Sequence, residues 1–461
     1  MAPLSTAGAA LAALRADLAG DVLAPGDPGY DLARTVFNVM IDRRPAVIAQ
    51  CAGTADVVRS VRFARDLDLK IAVRGGGHCV AGMAVNDNGM VVDLRRMHQV
   101  TVRPRAASAR VEGGAPTGQL DRATQPHALA TTGSRYSAAG VAGFVLGGGS
   151  GGWLDRAFGP AVDNLLEVEL VTADATAVRA SAESDPELFW ALHGGGGNFG
   201  VATALTLGLH ELPEFCVALV LFRPGTGPEA IRVQRDLMAT GPREAGGTVL
   251  YLTGPPEPFV PGHLVGTLLC AVVVTYVGRR AALRELVRPL LALPHEAAVV
   301  AAVPYADVQC MLDDPPGLRN HCWTWHLTGL PDELIDAFCE RARTMPVPTA
   351  CRQMLFPLGG TAAAGPGGYP VPHRGALWSV QTCGVWENPA DDRRVLRWAR
   401  DLRDDVRLWR TGAVRVSLVG DEGRDRVVAG LGTGNLNRLA RVKRRYDPDN
   451  VFRYNHNIAP A

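Results

Sequence analysis

Apolar positions along the first two hundred residues come in short bursts that alternate between two periods. The run Pro45–Cys51 reads as a strand. Thr54 stands at the head of a helix whose inward positions are Val57, Val58, Val61 and Ala64. Leu69–Arg74 reads as a second strand that ends abruptly at Gly75-Gly76-Gly77-His78. Further strands are expected at Met90–Leu94, Ala109–Glu112, Val168–Thr172 and Val201–Leu209. Ser184-Asp-Pro-Glu187 is a capping-box signature opening a helix through Phe189 and Trp190. Beyond about Glu214 the texture changes. Longer amphipathic helices (Glu229–Met238, Arg279–Leu293, Pro331–Arg343) then alternate with apolar strands such as Val265–Tyr276. Leu358–Gly375 reads as a long loop, and the last helix stops at a turn after Tyr446.

At 461 residues the chain has room for two or three domains. With 47 basic and 46 acidic residues it has no general attraction for nucleic acid or anionic membranes. No apolar run reaches the ~20 residues that span a bilayer. The alanine-rich start is interrupted by Arg15 and Asp17, and Leu11, Leu14 and Leu18 suit a surface helix, so a cytoplasmic protein is expected. Nine scattered cysteines without a Cys-x-x-Cys pair read as reduced thiols, with no metal site.

The chemistry concentrates in the glycines. One cluster is Arg74–His78, a second runs from Gly140 to Gly152, and a third from Gly194 to Gly200, with Asp163-Asn164 between the last two. Gly195, Gly197 and Gly200 have the spacing of a dinucleotide-binding turn, but they follow a helix and precede a strand, which is the reverse of that motif. A lone glycine cluster is more often a tight turn than a ligand cradle. Three clusters in one domain point instead to backbone wrapped around a long, flat, phosphate-bearing cofactor. Without a cofactor beside it, His78 would be a hydrogen-bonded turn histidine.

Together, Val73–His78, Gly140–Leu154, Asp163-Asn164, Phe189–Gly200 and Tyr446–Ile458 resemble the berberine-bridge-enzyme-like oxidases of the vanillyl-alcohol-oxidase FAD superfamily. The resemblance implies an α+β, two-domain PCMH-type FAD-binding fold, in which an inserted substrate domain roofs the flavin with an antiparallel sheet. The implied bounds are 1–212 and 425–461 for the FAD domain and 213–424 for the substrate domain. It also implies FAD attached through His78, whose neutral imidazole can add to the flavin 8α carbon. Many family members carry a second, cysteinyl link. Tyr136 occupies that position here, so a single covalent bond is expected. Further cofactor contacts fall on Arg74, Gly75, Gly76, Gly77, Gly82, Gly140, Gly143, Gly147, Gly148 and Gly149. Asp163, Asn164, Asn198, Gly200, Val201, Tyr454, Asn455 and Asn457 complete that set.

Departures from the family pattern concern the base. Met354 stands where many members have a glutamate, and Arg415-Val-Ser417 replaces a Tyr-Val-Asn. Tyr251 matches a substrate-facing tyrosine of one bacterial branch and is the candidate base, with a packed strand tyrosine as the alternative. Trp323 and Trp325 should share one strand face beside His326, as core packing or as a wall over a planar substrate. The implied activity is oxidation of a small organic, secondary-metabolite-like alcohol or amine, with O₂ as acceptor, by a monomer or homodimer. An oxygenating or redox-neutral cyclising reaction is the alternative.

Overall fold

The computed structural model describes residues 4–365, 368–371, 374–412, 414, 416–420 and 422–461. Three large sheets organise the described residues, with a small two-stranded one of Leu129–Ala130 and His210–Glu211 beside them. The first has four strands in the order Asp21–Leu23, Val47–Gln50, Met90–Asp93, Ile71–Arg74, the last three parallel. The second is antiparallel, in the order Val100–Arg103, Ser108–Glu112, Val201–Gly208, Leu165–Val171, Ala177–Ser181. The helix Thr54–Asp66 is buried between these two sheets. Val57, Val61 and Ala64 meet Val47, Met90 and Val92 of the first sheet and Val171 and Val201 of the second. Each such fully buried valine contributes about 1.5–3 kcal/mol. Thr54 is the first helical residue and caps nothing. Its neighbour Asp56 instead accepts from the amides of Ala19, Gly20 and Ala52, tying the N-terminal segment down.

The third sheet has seven antiparallel strands. Their order is Ala297–Ala302, Phe215–Phe222, Leu268–Val277, Ala245–Thr253, Arg352–Pro357, Trp378–Trp386, Arg319–Leu327. Helices Gly227–Thr240, Asp332–Ala342 and Asp392–Asp405 cover one face. The other face packs on Trp153, Leu154, Tyr136 and Phe158 beside the second glycine cluster. Because both faces are covered, every residue of Arg352–Pro357 is buried and the strand reads as continuous burial, with no alternation. The expected helix Arg279–Leu293 is two short ones, Arg280–Leu286 and Arg288–Leu291, broken at Val287.

The chain then returns to its first part. Helix Thr433–Tyr446 packs on helix Pro186–Leu192, whose cap is Asp185, accepting from Leu188 N. A buried ion pair anchors the C-terminal segment beyond this helix. Lys443 Nζ donates to Asp447 at 2.6 Å, to Asn198 O at 2.6 Å and to Phe452 O at 2.9 Å. The Asp447 carboxylate also accepts from the amides of Val451 and Phe452. Every charge in this knot is satisfied, which is the condition for burying it without a large penalty.

Candidate functional site

The strand Ile71–Arg74 delivers its final turn against the second glycine cluster. A Cβ on Gly76 would lie 2.3 Å from Gly140 N, and one on Gly140 would lie 2.5 Å from Gly76 N. These two glycine segments therefore meet backbone to backbone, an approach no other residue type permits. A Cβ on Gly75 would lie 2.9 Å from Gly113 O, and Gly77 turns the chain with φ +74°. Gly82 packs on Ile41. Gly140 opens the helix Val141–Leu146, where a Cβ on Gly143 would meet nothing within 4 Å. Gly147 lies against Ser417, whereas Arg415 falls outside the described residues. Gly148 and Gly149 carry the chain back at φ +101° and +55°.

Two basic side chains, Arg74 and His78, stand at this turn. Arg74 is 5% exposed, and its Nη1 donates to Ala33 O at 2.5 Å while its Nε has no partner among the described residues. Burial, with Arg95 nearby, pushes it down to about 10. His78 stacks on Phe37 with ring centroids 4.9 Å apart and planes 12° apart. Burial pushes its imidazole down to about 4, which Asp313 opposes and Arg74 reinforces. It is therefore neutral at physiological pH and keeps a nucleophilic lone pair. An under-paired buried guanidinium beside a glycine turn fits an anionic group. Asn455 repeats the pattern, since its Oδ1 is buried without a partner while its Nδ2 donates to Phe452 O and Gly197 O.

Other expected ligands are placed differently. Asn164 Oδ1 accepts from His210 Nε2 at 2.6 Å, and its Nδ2 donates to Phe158 O and Pro160 O. Asn198 Nδ2 donates to Gly195 O, and its Oδ1 accepts from the amide of Ile458. These side chains hold neighbouring loops and the chain terminus in place. Asp163 is paired with Arg374 at 2.5 Å. Gly200 packs on Val171 O, Val201 is buried in its strand, and Asn457 is exposed. Tyr454 is half-buried beneath the Arg43 guanidinium.

Tyr251 is corrected. It is fully buried on the helix-covered face of the large sheet, beside Phe338, and its hydroxyl donates to Pro224 O at 3.3 Å. Burial raises its phenol far beyond titration, so it can neither reach the glycine-cluster side nor act as a base. Trp323 and Trp325 do share a face, with centroids 6.1 Å apart, but it is this same helix face, where Arg426 lies 3.5 Å over Trp325. The aromatic-wall alternative falls with them.

On the opposite face, Met354 and Phe356 lie alongside Cys383. Tyr136 approaches this face from the glycine side, with its hydroxyl 3.6 Å from Cys383 Sγ and the Arg352 guanidinium 5.9 Å from its ring. Arg352 is ion-paired with Asp314 at 2.5 Å. Burial holds the Tyr136 phenol well above its ordinary value, so it remains a hydrogen-bond donor. Sequence reasoning missed Cys383, Arg352 and Asp314, because only strand register brings them to Tyr136.

With this geometry in place, comparison with known proteins identifies the lineage. Residues 45–181 match the FAD binding domain model, and residues 431–459 match the berberine and berberine-like model. The (R)-6-hydroxynicotine oxidase of Paenarthrobacter nicotinovorans is 30% identical over 456 residues, covering 96% of this chain and 97% of that protein. The glucooligosaccharide oxidase of Sarocladium strictum is 35% identical over 190 residues, 40% of this chain and 38% of that protein. The crystal structure of 6-hydroxy-D-nicotine oxidase from Arthrobacter nicotinovorans superposes with a TM-score of 0.86 at 26% identity, covering 96% of this chain and 98% of that one. The chain belongs to the berberine-bridge-enzyme-like FAD-linked oxidases. It is an FAD-linked oxidoreductase with the PCMH-type fold. Among the described residues no helix is long and apolar enough to cross a membrane.

Proposed function

We propose that this chain is an oxidase whose FAD is bonded through His78 and which takes hydride from a small, largely apolar organic substrate, passing the electrons to O₂. The observation that carries it is the neutral, half-buried His78 imidazole at the end of a turn docked on Gly140. Bound there, FAD would supply the two-electron redox chemistry. Gly75–Gly77 and Gly140–Gly149 would let backbone approach it closely, Arg74 would face its negative charge, and Asn455 Oδ1 would accept one of its donors. The inserted unit, residues 213–424, would roof it, which agrees with the seven-stranded sheet beginning at Phe215 and the return helix at Thr433.

A cleft beside the second glycine cluster supports the substrate class. Leu358, Ala362, Val371, Val414 and Leu431 line it, with Ser150, His326 and the Asp163-paired Arg374 as polar points. Such a lining suits a compact apolar or aromatic molecule better than a sugar, whose hydroxyls would each need a partner. The name of the 6-hydroxynicotine-oxidising relative agrees with a small heteroaromatic amine or alcohol. Tyr136 would donate a hydrogen bond to a substrate heteroatom, because its phenol stays protonated. With Met354 in place of a carboxylate and Tyr251 turned away, the reaction would lean on orientation and on the substrate's own acidity.

Substrate candidates added anaerobically test this reading. A true substrate bleaches the flavin absorbance, and readmitted air restores it with one peroxide per turnover. Product formation without bleaching, or with ¹⁸O from ¹⁸O₂ in the product, would replace the oxidase by a cyclising or oxygenating enzyme.

A further inference from the structure

The sheet face turned toward Tyr136 carries two cysteines in register. Cys322, on the edge strand Arg319–Leu327, lies directly opposite Cys383 on Trp378–Trp386. Opposed residues of an antiparallel pair keep their Cα atoms about 4.5–5.5 Å apart, inside the range a disulfide spans. Their sulfurs are 2.7 Å apart, with both thiols free. Donors converge on Cys383. Gln381 Nε2 reaches its sulfur at 3.1 Å and the Tyr136 hydroxyl at 3.6 Å, and Arg352 is its register partner on the other side. Hydrogen bonding from Cys322, with the Arg352 charge, holds the Cys383 thiol below its ordinary value, while that of Cys322 is raised. With those donors gathered on its sulfur, Cys383 is the nucleophile of the pair and Cys322 the resolving thiol.

We propose that Cys322 and Cys383 are a peroxide-responsive dithiol that closes to a cross-strand disulfide beside Tyr136. The Cys383 thiolate attacks one oxygen of hydrogen peroxide. The O–O bond breaks, water leaves, and a sulfenic acid remains on Cys383. The sulfur of Cys322 then displaces that hydroxyl as a second water and loses its proton. Two thiols give up two electrons in all, and one peroxide becomes two waters. Closure fastens the edge strand to its neighbour and removes the thiol that meets Tyr136 and Gln381. Only the origin of peroxide within the molecule rests on the oxidase reading; the site's chemistry does not.

Reagent hydrogen peroxide separates the two questions. FAD-loaded protein is exposed to it, alkylated under denaturing conditions and digested with trypsin. The expected product joins Asn320–Arg341 to Gly375–Arg393 through Cys322 and Cys383, is two hydrogens lighter than the separate peptides, and disappears with dithiothreitol. In Cys322→Ser, Cys383 should accumulate a dimedone-reactive sulfenic acid in place of the link. Full alkylation of both cysteines at a dose that oxidises the exposed Cys310 would overturn the proposal. Separate oxidation of the two without a linked peptide would do the same.

Discussion

Replacing Gly76 by alanine tests whether the two glycine segments form one cradle. The new Cβ would stand 2.3 Å from Gly140 N, 2.8 Å from Gly140 Cα and 2.9 Å from Ala138 O. All three are backbone atoms, so no rotamer change relieves them. Restoring an ordinary contact of about 3.5 Å requires the His78 turn and the head of helix Val141–Leu146 to part by roughly 1 Å. Overpacking of this kind costs about 1–3 kcal/mol, and a displacement of that size at a reacting centre costs on the order of 100-fold in rate. Purified Gly76→Ala should therefore carry much less flavin, read from its absorbance ratio at ~450 and 280 nm, and melt several degrees lower. Gly143→Ala is the contrast. Its Cβ meets no protein atom within 4 Å, so the apoprotein should melt no lower than wild type, and flavin loading alone should fall. Wild-type flavin content and turnover in Gly76→Ala would refute the cradle.

Tyr251→Phe should leave kcat and KM within about twofold of wild type. It should lower stability by about 1 kcal/mol, because its hydroxyl donates to Pro224 O among buried groups of the helix face; a large kcat loss in steady-state assays would contradict its placement. Asp121 is fully buried with neither carboxylate oxygen partnered among the described residues, and burial raises its pKa well above the ordinary value. A raised acid loses its contribution as pH climbs through its folded pKa, so Asp121→Asn should gain about 1 kcal/mol at pH 8 and nothing near pH 4, measured by denaturant titration. His193, buried against Tyr369 at 3.8 Å between rings and bonded to Phe189 O, is pushed down to about 4 by burial. The unfolded chain binds its proton first, at about 6.5, so stability falls as pH drops from there toward 4. His193→Gln should remove about 2 kcal/mol of the loss between pH 7 and 5, and an unchanged slope would count against it.

Local backbone demands were legible in the sequence. Glycine turns after strands, such as Gly75–Gly77, announce themselves because positive φ and close approach exclude other residues. Helix Thr54–Asp66 and its partner strands were equally readable from periodicity. What escaped were choices made by tertiary packing. Tyr251 occupies a strand whose two faces are both apolar, so nothing local says which face the helices cover. The bonds by which Asn164 and Asn198 hold neighbouring loops were not legible either. Their partners, His210 and Ile458, arrive from other elements. The juxtaposition of Tyr136, Cys383 and Arg352 depends on strand order, which joins residues more than two hundred positions apart.

The central claim is that His78 carries the flavin, and peptide mapping of acid-precipitated protein tests it most directly. Trypsin releases Gly75–Arg95, in which His78 is the single histidine. The account predicts a yellow pellet and this peptide heavier by one FAD. An unmodified Gly75–Arg95 peptide, with all of the FAD in the supernatant, would contradict it.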